Sequence, residues 1–208
     1  MQIYVLTDDF YTPQNSLKSQ ILEILNSGVK FIQFRCKNKK FNLQDLKDIV
    51  KICNDFDAKF IINDDVFLCE EINAHGVHLG QDDTDFLEAK KNLDDEKIIG
   101  VSCYNNLQKA KNFAKFNASY LAFGAMFKSK IKPNAIRCDF EIVKQAKKLN
   151  KKIAVIGGIN SQNLPQILTL KPDLIAIITV AYKPFSIKQN LTILNSIIKN
   201  FKDKNGNF

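Results

Sequence analysis

Eight short apolar runs recur along this chain of 208 residues, and a segment with helical period follows each one. The runs fall at residues 3–6, 30–34, 59–62, 76–79, 98–101, 120–123, 153–156 and 174–177. Most are continuously apolar rather than alternating, which is the pattern of parallel strands buried on both faces. Leu17, Ile21, Ile24 and Leu25 form the first helical stripe, with Asn15 or Ser16 as its cap. Leu43, Leu46, Ile49, Val50 and Cys53 form the second, capped by Asn42. Further helical segments are expected at 66–72, 86–93, 107–116, 140–149, 161–170 and 187–201. Eight βα units in a chain of this length predict an α/β fold, a single (β/α)8 TIM barrel spanning residues 1–208, with 203–208 disordered. A doubly wound open sheet is the alternative, but no Gly-x-Gly-x-x-Gly follows the first strand.

Composition narrows the class. An apolar share of 45% and a charged share of 25% are those of an ordinary globular domain. The net charge of +8 favours anionic partners, but the lysines are spread over helical faces instead of forming a patch. That distribution suits a phosphate-binding site better than a nucleic-acid surface. The five cysteines lie far apart, without Cys-x-x-Cys or zinc spacing. No basic, long apolar leader opens the sequence, and the longest apolar stretch, 174–182, is too short to cross a bilayer. A reducing cytoplasm is the expected compartment.

In a barrel, chemistry gathers at the C-terminal ends of the strands. Strand 2 ends in Gln33-Phe34-Arg35-Cys36-Lys37, strand 3 in Asn63-Asp64-Asp65 and strand 4 in Gln81-Asp82-Asp83. Strand 5 ends in Ser102, and a basic loop from Lys128 to Lys132 follows strand 6. Arg35, Lys37 and Lys132 are cations suited to a phosphate or diphosphate. Asp64 and Asp83 stand on adjacent strands and suit a magnesium ion held by one or two acids plus substrate oxygens. Gly157-Gly158 and the turn after strand 8 sit where such barrels cradle phosphate. His75 and His78 are expected to pack or to make local hydrogen bonds rather than bind metal together. No Ser-His-Asp order, P-loop or His-Glu-x-x-His occurs.

These motifs resemble a family. Tyr4-Val5-Leu6-Thr7-Asp8, Ile32-Gln33-Phe34-Arg35-Cys36-Lys37, Ile62-Asn63-Asp64-Asp65, Gly76-Val77-His78-Leu79-Gly80-Gln81-Asp82-Asp83, Ile99-Gly100-Val101-Ser102 and Ala154-Val155-Ile156-Gly157-Gly158-Ile159 are similar to those of thiamine phosphate synthases. The related TenI-type thiazole tautomerases share the barrel. The resemblance implies condensation of an aminopyrimidine methyl diphosphate with a thiazole phosphate, releasing diphosphate with Mg2+. It implies that Asp64 and Asp83 bind the metal, and that Gln33, Arg35, Lys37, Asn63 and Ser102 hold the pyrimidine diphosphate. Lys132 would reach the departing diphosphate, with Ser129 as a hydroxyl in the same loop, and backbone at Gly158, Ile178 and Thr179 would hold the thiazole phosphate. The implied partners are small-molecule substrates, with neither nucleic acid nor membrane; self-association stays open.

The sequence departs from the family pattern in the strand-6 loop, which reads Gly124-Ala125-Met126-Phe127-Lys128-Ser129-Lys130-Ile131-Lys132 and has Ile131 where a threonine is usual. The tautomerase branch tends to lose the metal carboxylates and to carry a histidine after the strand-5 serine. Here both carboxylates are present and Cys103-Tyr104 follows Ser102, which favours the synthase. A tautomerase and a phosphate-binding paralogue without turnover remain the alternatives.

Overall fold

The computed structural model describes residues 1–80, 86–128 and 136–206. Eight parallel strands close into a barrel in chain order. The elements run β1 (Gln2–Leu6), α1 (Gln14–Asn26), β2 (Phe31–Phe34), α2 (Leu43–Asp55), β3 (Lys59–Asn63), α3 (Val66–Glu71) and β4 (Gly76–Leu79). They continue with α4 (Phe86–Asn92), β5 (Ile98–Tyr104), α5 (Leu107–Lys115), β6 (Tyr120–Phe123) and α6 (Phe140–Ala146), which ends in a 3-10 turn over Lys147–Leu149. The chain finishes with β7 (Lys152–Ile156), α7 (Leu164–Leu168), β8 (Leu174–Ile177), α8 (Thr179–Tyr182) and α9 (Ile187–Asn205). The first strand pairs with the last, Tyr4 opposite Ala176 and Val5 opposite Ile177, so no strand edge is left open.

Alternation along each strand divides the core in two. Ile3 and Val5 face outward into a large apolar shell shared with the helices. Tyr4 and Leu6 face inward and join Ile61, Tyr120, Ala122, Ala154, Leu174 and Ala176 inside the barrel. Helix starts are set locally. The Asn42 side chain accepts from the Asp45 N–H at 3.1 Å, and Asp65 does the same for Leu68 at 2.9 Å. Ser186 and Gln189 form a reciprocal capping box at the start of α9.

Several boundaries differ from the sequence expectation. The first helix begins at Gln14 after Pro13, whose fixed φ holds an extended entry, so Asn15 and Ser16 lie inside the first turn and cap nothing. The segment expected as a helix from 161 starts only at Leu164, because Asn160 and Asn163 bond neighbouring backbone N–H groups and make a turn first. β5 is longer than expected: it continues through a register shift between Ser102 and Tyr104, which places Ser102 inside the strand. α9 runs to Asn205, so residues 203–205 are helical and not disordered. Lys202 and Lys204 suit its C-terminal dipole end, and Asn205 Nδ2 donates to the Phe201 carbonyl at 2.8 Å.

Candidate active site

The strands open at their C-terminal ends into a cavity of about 800 Å³. It reaches down to Tyr4 and Tyr120 and up to Gly158 and Thr179. One wall, from β1 to β5, is polar. The opposite wall, from β6 to β8, carries Ala122, Ala154 and Ala176, whose small side chains leave the barrel interior hollow on that side.

The polar wall is braced from beneath. Thr7 Oγ1 accepts from the Arg35 N–H at 2.8 Å and donates to the Arg35 carbonyl at 3.2 Å, which fixes the end of β2. The Arg35 guanidinium pairs with Asp8 at 3.3 Å, both mostly buried. Asp9 accepts from the backbone N–H groups of Lys37 and Asn38, so the loop after β1 holds the loop after β2. The Lys37 ammonium bonds the Asp64 carboxylate, and both face solvent at the cavity rim. Asp64 has a left-handed φ of +68°, which an aspartate tolerates at roughly 1–2 kcal/mol. Its N–H donates to the His78 carbonyl at 2.9 Å, which ties the turn to β4.

A hydrogen-bonded chain crosses the floor. Gln33 Nε2 donates to the Tyr4 hydroxyl at 2.8 Å, and that hydroxyl meets Tyr120 at 3.0 Å. The Tyr120 hydroxyl lies 2.9 Å from His78 Nδ1, and His78 Nε2 lies 2.9 Å from Ser102 Oγ. Burial raises both phenols far above the usual tyrosine range, so both stay protonated. Cys103, next to Ser102, is fully buried among the outward-facing core residues, its thiol pushed up to about 12 by desolvation; it is not an available nucleophile.

On the far wall Gly157 and Gly158 both have positive φ, +108° and +63°. A Cβ on Gly158 would come within 2.4 Å of the Lys128 carbonyl oxygen, so glycine is required for the close approach of the strand-6 loop. That loop follows the end of β7: Met126 N–H donates to the Ile156 carbonyl and Phe127 N–H to the Gly157 carbonyl, each at 2.9 Å. Ile178 and Thr179 line the cavity beside them, where the unexpected short helix α8 begins.

Gln33, Arg35, Lys37, Asn63, Asp64, Ser102, Gly158, Ile178 and Thr179 thus all line one cavity. Asp83, Ser129 and Lys132 lie outside the described residues. Among the described residues no three His, Cys, Asp or Glu side chains gather as a metal site. Asp64, paired with Lys37, places a hard carboxylate at the mouth, and Asp65 caps α3. One carboxylate beside space for substrate oxygens fits Mg2+, which commonly takes one or two acids and completes its shell with phosphate and water. The two histidines part company. His75 is bonded outside the cavity, its Nδ1 accepting from the Phe60 N–H at 3.1 Å and its Nε2 2.7 Å from Asn54. His78, expected only to pack or bond locally, is in the cavity wall, as are Tyr4, Tyr120 and the three alanines. The available signal for the tyrosines was a hydroxyl within an apolar strand run, mid-strand for Tyr4 and at the first position for Tyr120, which needs a buried partner.

The model of the family described as thiamine monophosphate synthase matches residues 3–181. The thiamine-phosphate synthase of Nitrosococcus oceani is 35% identical over 189 residues, covering 89% of this chain and 87% of that one. That of Persephonella marina is 33% identical, covering 97% of each chain. The solved thiamine phosphate pyrophosphorylase of Pyrococcus furiosus is 26% identical, with a TM-score of 0.83 and 96% of each chain covered.

Proposed function

This chain belongs to the thiamine monophosphate synthase family, and on that premise we propose that it joins an aminopyrimidine methyl diphosphate to a thiazole phosphate. The observation that carries the reading is the two-walled cavity: cations, amides and one carboxylate on one side, a small-residue hollow and glycine turns on the other. The C–O bond between the pyrimidine methylene and the diphosphate breaks, and the electron pair leaves with the diphosphate. The ring spreads the methylene cation, and the thiazole nitrogen lone pair closes the new C–N bond. No side-chain nucleophile is needed, so the protein contributes positioning and charge.

Arg35 and Lys37, with Lys132, neutralise the leaving diphosphate. Gln33, Asn63 and Ser102 orient the pyrimidine, the Ser129 hydroxyl joins Lys132 on the diphosphate, and backbone at Gly158, Ile178 and Thr179 receives the thiazole phosphate. Asp64 and Asp83 would hold Mg2+, which supplies further neutralisation of the diphosphate when bound. The Lys37–Asp64 pair is solvent-facing and worth at most about 1 kcal/mol. All five cysteines are free, which suits a reducing cytoplasm. Among the described residues no helix is long and apolar enough to cross a membrane.

The test is diphosphate release and product formation with both substrates, with and without magnesium. Product that depends on both substrates and on the metal supports the reading. Absence of product at saturating substrates overturns it.

A further inference from the structure

The chain of hydrogen bonds from Gln33 to Ser102 carries more information than its distances. Each phenol has one proton to give, and a neutral imidazole has one N–H and one bare nitrogen. The Gln33 amide nitrogen donates to the Tyr4 oxygen. Tyr4 must then give its own proton to Tyr120, Tyr120 must give its proton to His78 Nδ1, and His78 must carry its proton on Nε2 and donate to Ser102. Ser102 Oγ accepts that bond, and its hydroxyl proton is left for the cavity.

We infer that this relay has a fixed polarity and that His78 is the positioning residue that makes Ser102 a hydrogen-bond donor to the substrate ring. The group it addresses is a ring nitrogen with an exposed lone pair. The inference rests on the pyrimidine reading of the cavity for the identity of that ring, but the polarity itself does not.

The surroundings hold the relay in place. Tyr4, Gln33 and Tyr120 are each at most 2% exposed, so no water competes for their bonds. The His78 and Tyr120 rings lie nearly parallel, 12° apart, with centroids at 5.6 Å. Tyr4 meets Tyr120 edge-on at 89°. Gly100, on the neighbouring strand, leaves the space into which the Tyr120 ring fits.

The opposite polarity has a distinct signature. If the Gln33 carbonyl accepted from Tyr4, every proton would reverse: His78 would carry its proton on Nδ1 and Ser102 would donate to Nε2. Ser102 would then present only an acceptor to the cavity.

Two measurements decide between these. Long-range 1H–15N spectra at neutral pH report the tautomer, and the chain's only other histidine, His75, makes assignment by His78→Gln direct. The expected result is His78 with bare Nδ1 and protonated Nε2; a proton on Nδ1 overturns the inference, whether or not the protein makes product. The second is a kinetic cycle. Tyr120→Phe keeps the ring but removes the proton given to His78. It should lower kcat/KM for the aminopyrimidine diphosphate about tenfold and leave KM for the thiazole phosphate within about twofold. On a Ser102→Ala background the same change should cost little, because both act through one donor. Full additivity of the two losses overturns the inference. Should Tyr120→Phe fail to fold, His78→Gln serves in its place: it keeps an N–H donor toward Ser102 and should retain most of the rate, where His78→Leu loses it. Equal rates in those two variants also count against the proposal.

Discussion

The ring of Tyr120 lies directly over the α-carbon of Gly100. A Cβ on Gly100 would come within 2.0 Å of Tyr120 Cζ and 2.3 Å of Cε1. Tyr120 is 1% exposed and bonded to both Tyr4 and His78, so it has no free direction in which to move. Gly100→Ala is therefore an overpacking change in the barrel interior. It should destabilise the fold by about 1–3 kcal/mol, seen as a lower urea midpoint. A stability equal to that of the parent would mean that the interior is looser than the contacts indicate.

Asp64 tests the metal proposal. Asp64→Ala removes the described carboxylate from the cavity mouth and leaves Lys37 without its partner. Turnover should fall by about 10²-fold or more, in the range of losing one strong electrostatic group at a charged transition state. The response to added magnesium should weaken with it. A magnesium titration identical to that of the parent would remove Asp64 from the metal site.

The hollow wall can be filled. Ala176 is 4% exposed and lies opposite Tyr4 and Ile156 in the barrel register. Ala176→Leu puts three more carbons into the cavity that is meant for the substrate rings. We expect kcat/KM to drop at least about tenfold, or ~1.4 kcal/mol, while the thermal midpoint stays within a few degrees. Undiminished kcat/KM would show that the rings do not use this wall.

His75 should make stability depend on pH. Burial first, then the charges of Lys59 and Lys97, lower its pKa to about 4. In the unfolded chain it titrates at about 6.5. Between these values the unfolded state binds the extra proton, so this residue's contribution is complete above about pH 6.5 and is lost as pH falls toward 4. The ring is only half-buried; after allowance for screening the loss is on the order of 1–2 kcal/mol. His75→Asn keeps an acceptor near the Phe60 N–H but cannot titrate. Urea unfolding at neutral and mildly acidic pH should show a smaller decline for the variant than for the parent. Parallel declines would contradict the assignment.

The barrel was legible because its signals are local and repeated. Short runs such as Phe60-Ile61-Ile62 are apolar at successive positions, as a strand buried on both faces requires, and Asn42 caps its helix through bonds within four residues. The placing of Arg35, Lys37, Asn63 and Asp64 around one cavity was legible for the same reason: they follow apolar runs directly, and a barrel brings all strand ends to one mouth. The limits of α1 and α7 were less so, since Pro13 and the Asn160–Asn163 turn compete with helix over a few residues.

The sequence by itself determined the order of elements, the rim of charged groups and the place of the glycine turns. Tertiary structure decided which inward residues meet across the barrel. Tyr4 and Tyr120 are 116 positions apart, and no local pattern pairs them; they bond because barrel closure brings β1 and β6 to the same buried floor, where each phenol must find a partner. The same closure turned His78 from a strand residue with a local bond into the link between Tyr120 and Ser102. Strand register set Ala122 beside Ala154 and put Ala176 two positions along on the next strand, and the inward curvature of the sheet made these small residues one hollow.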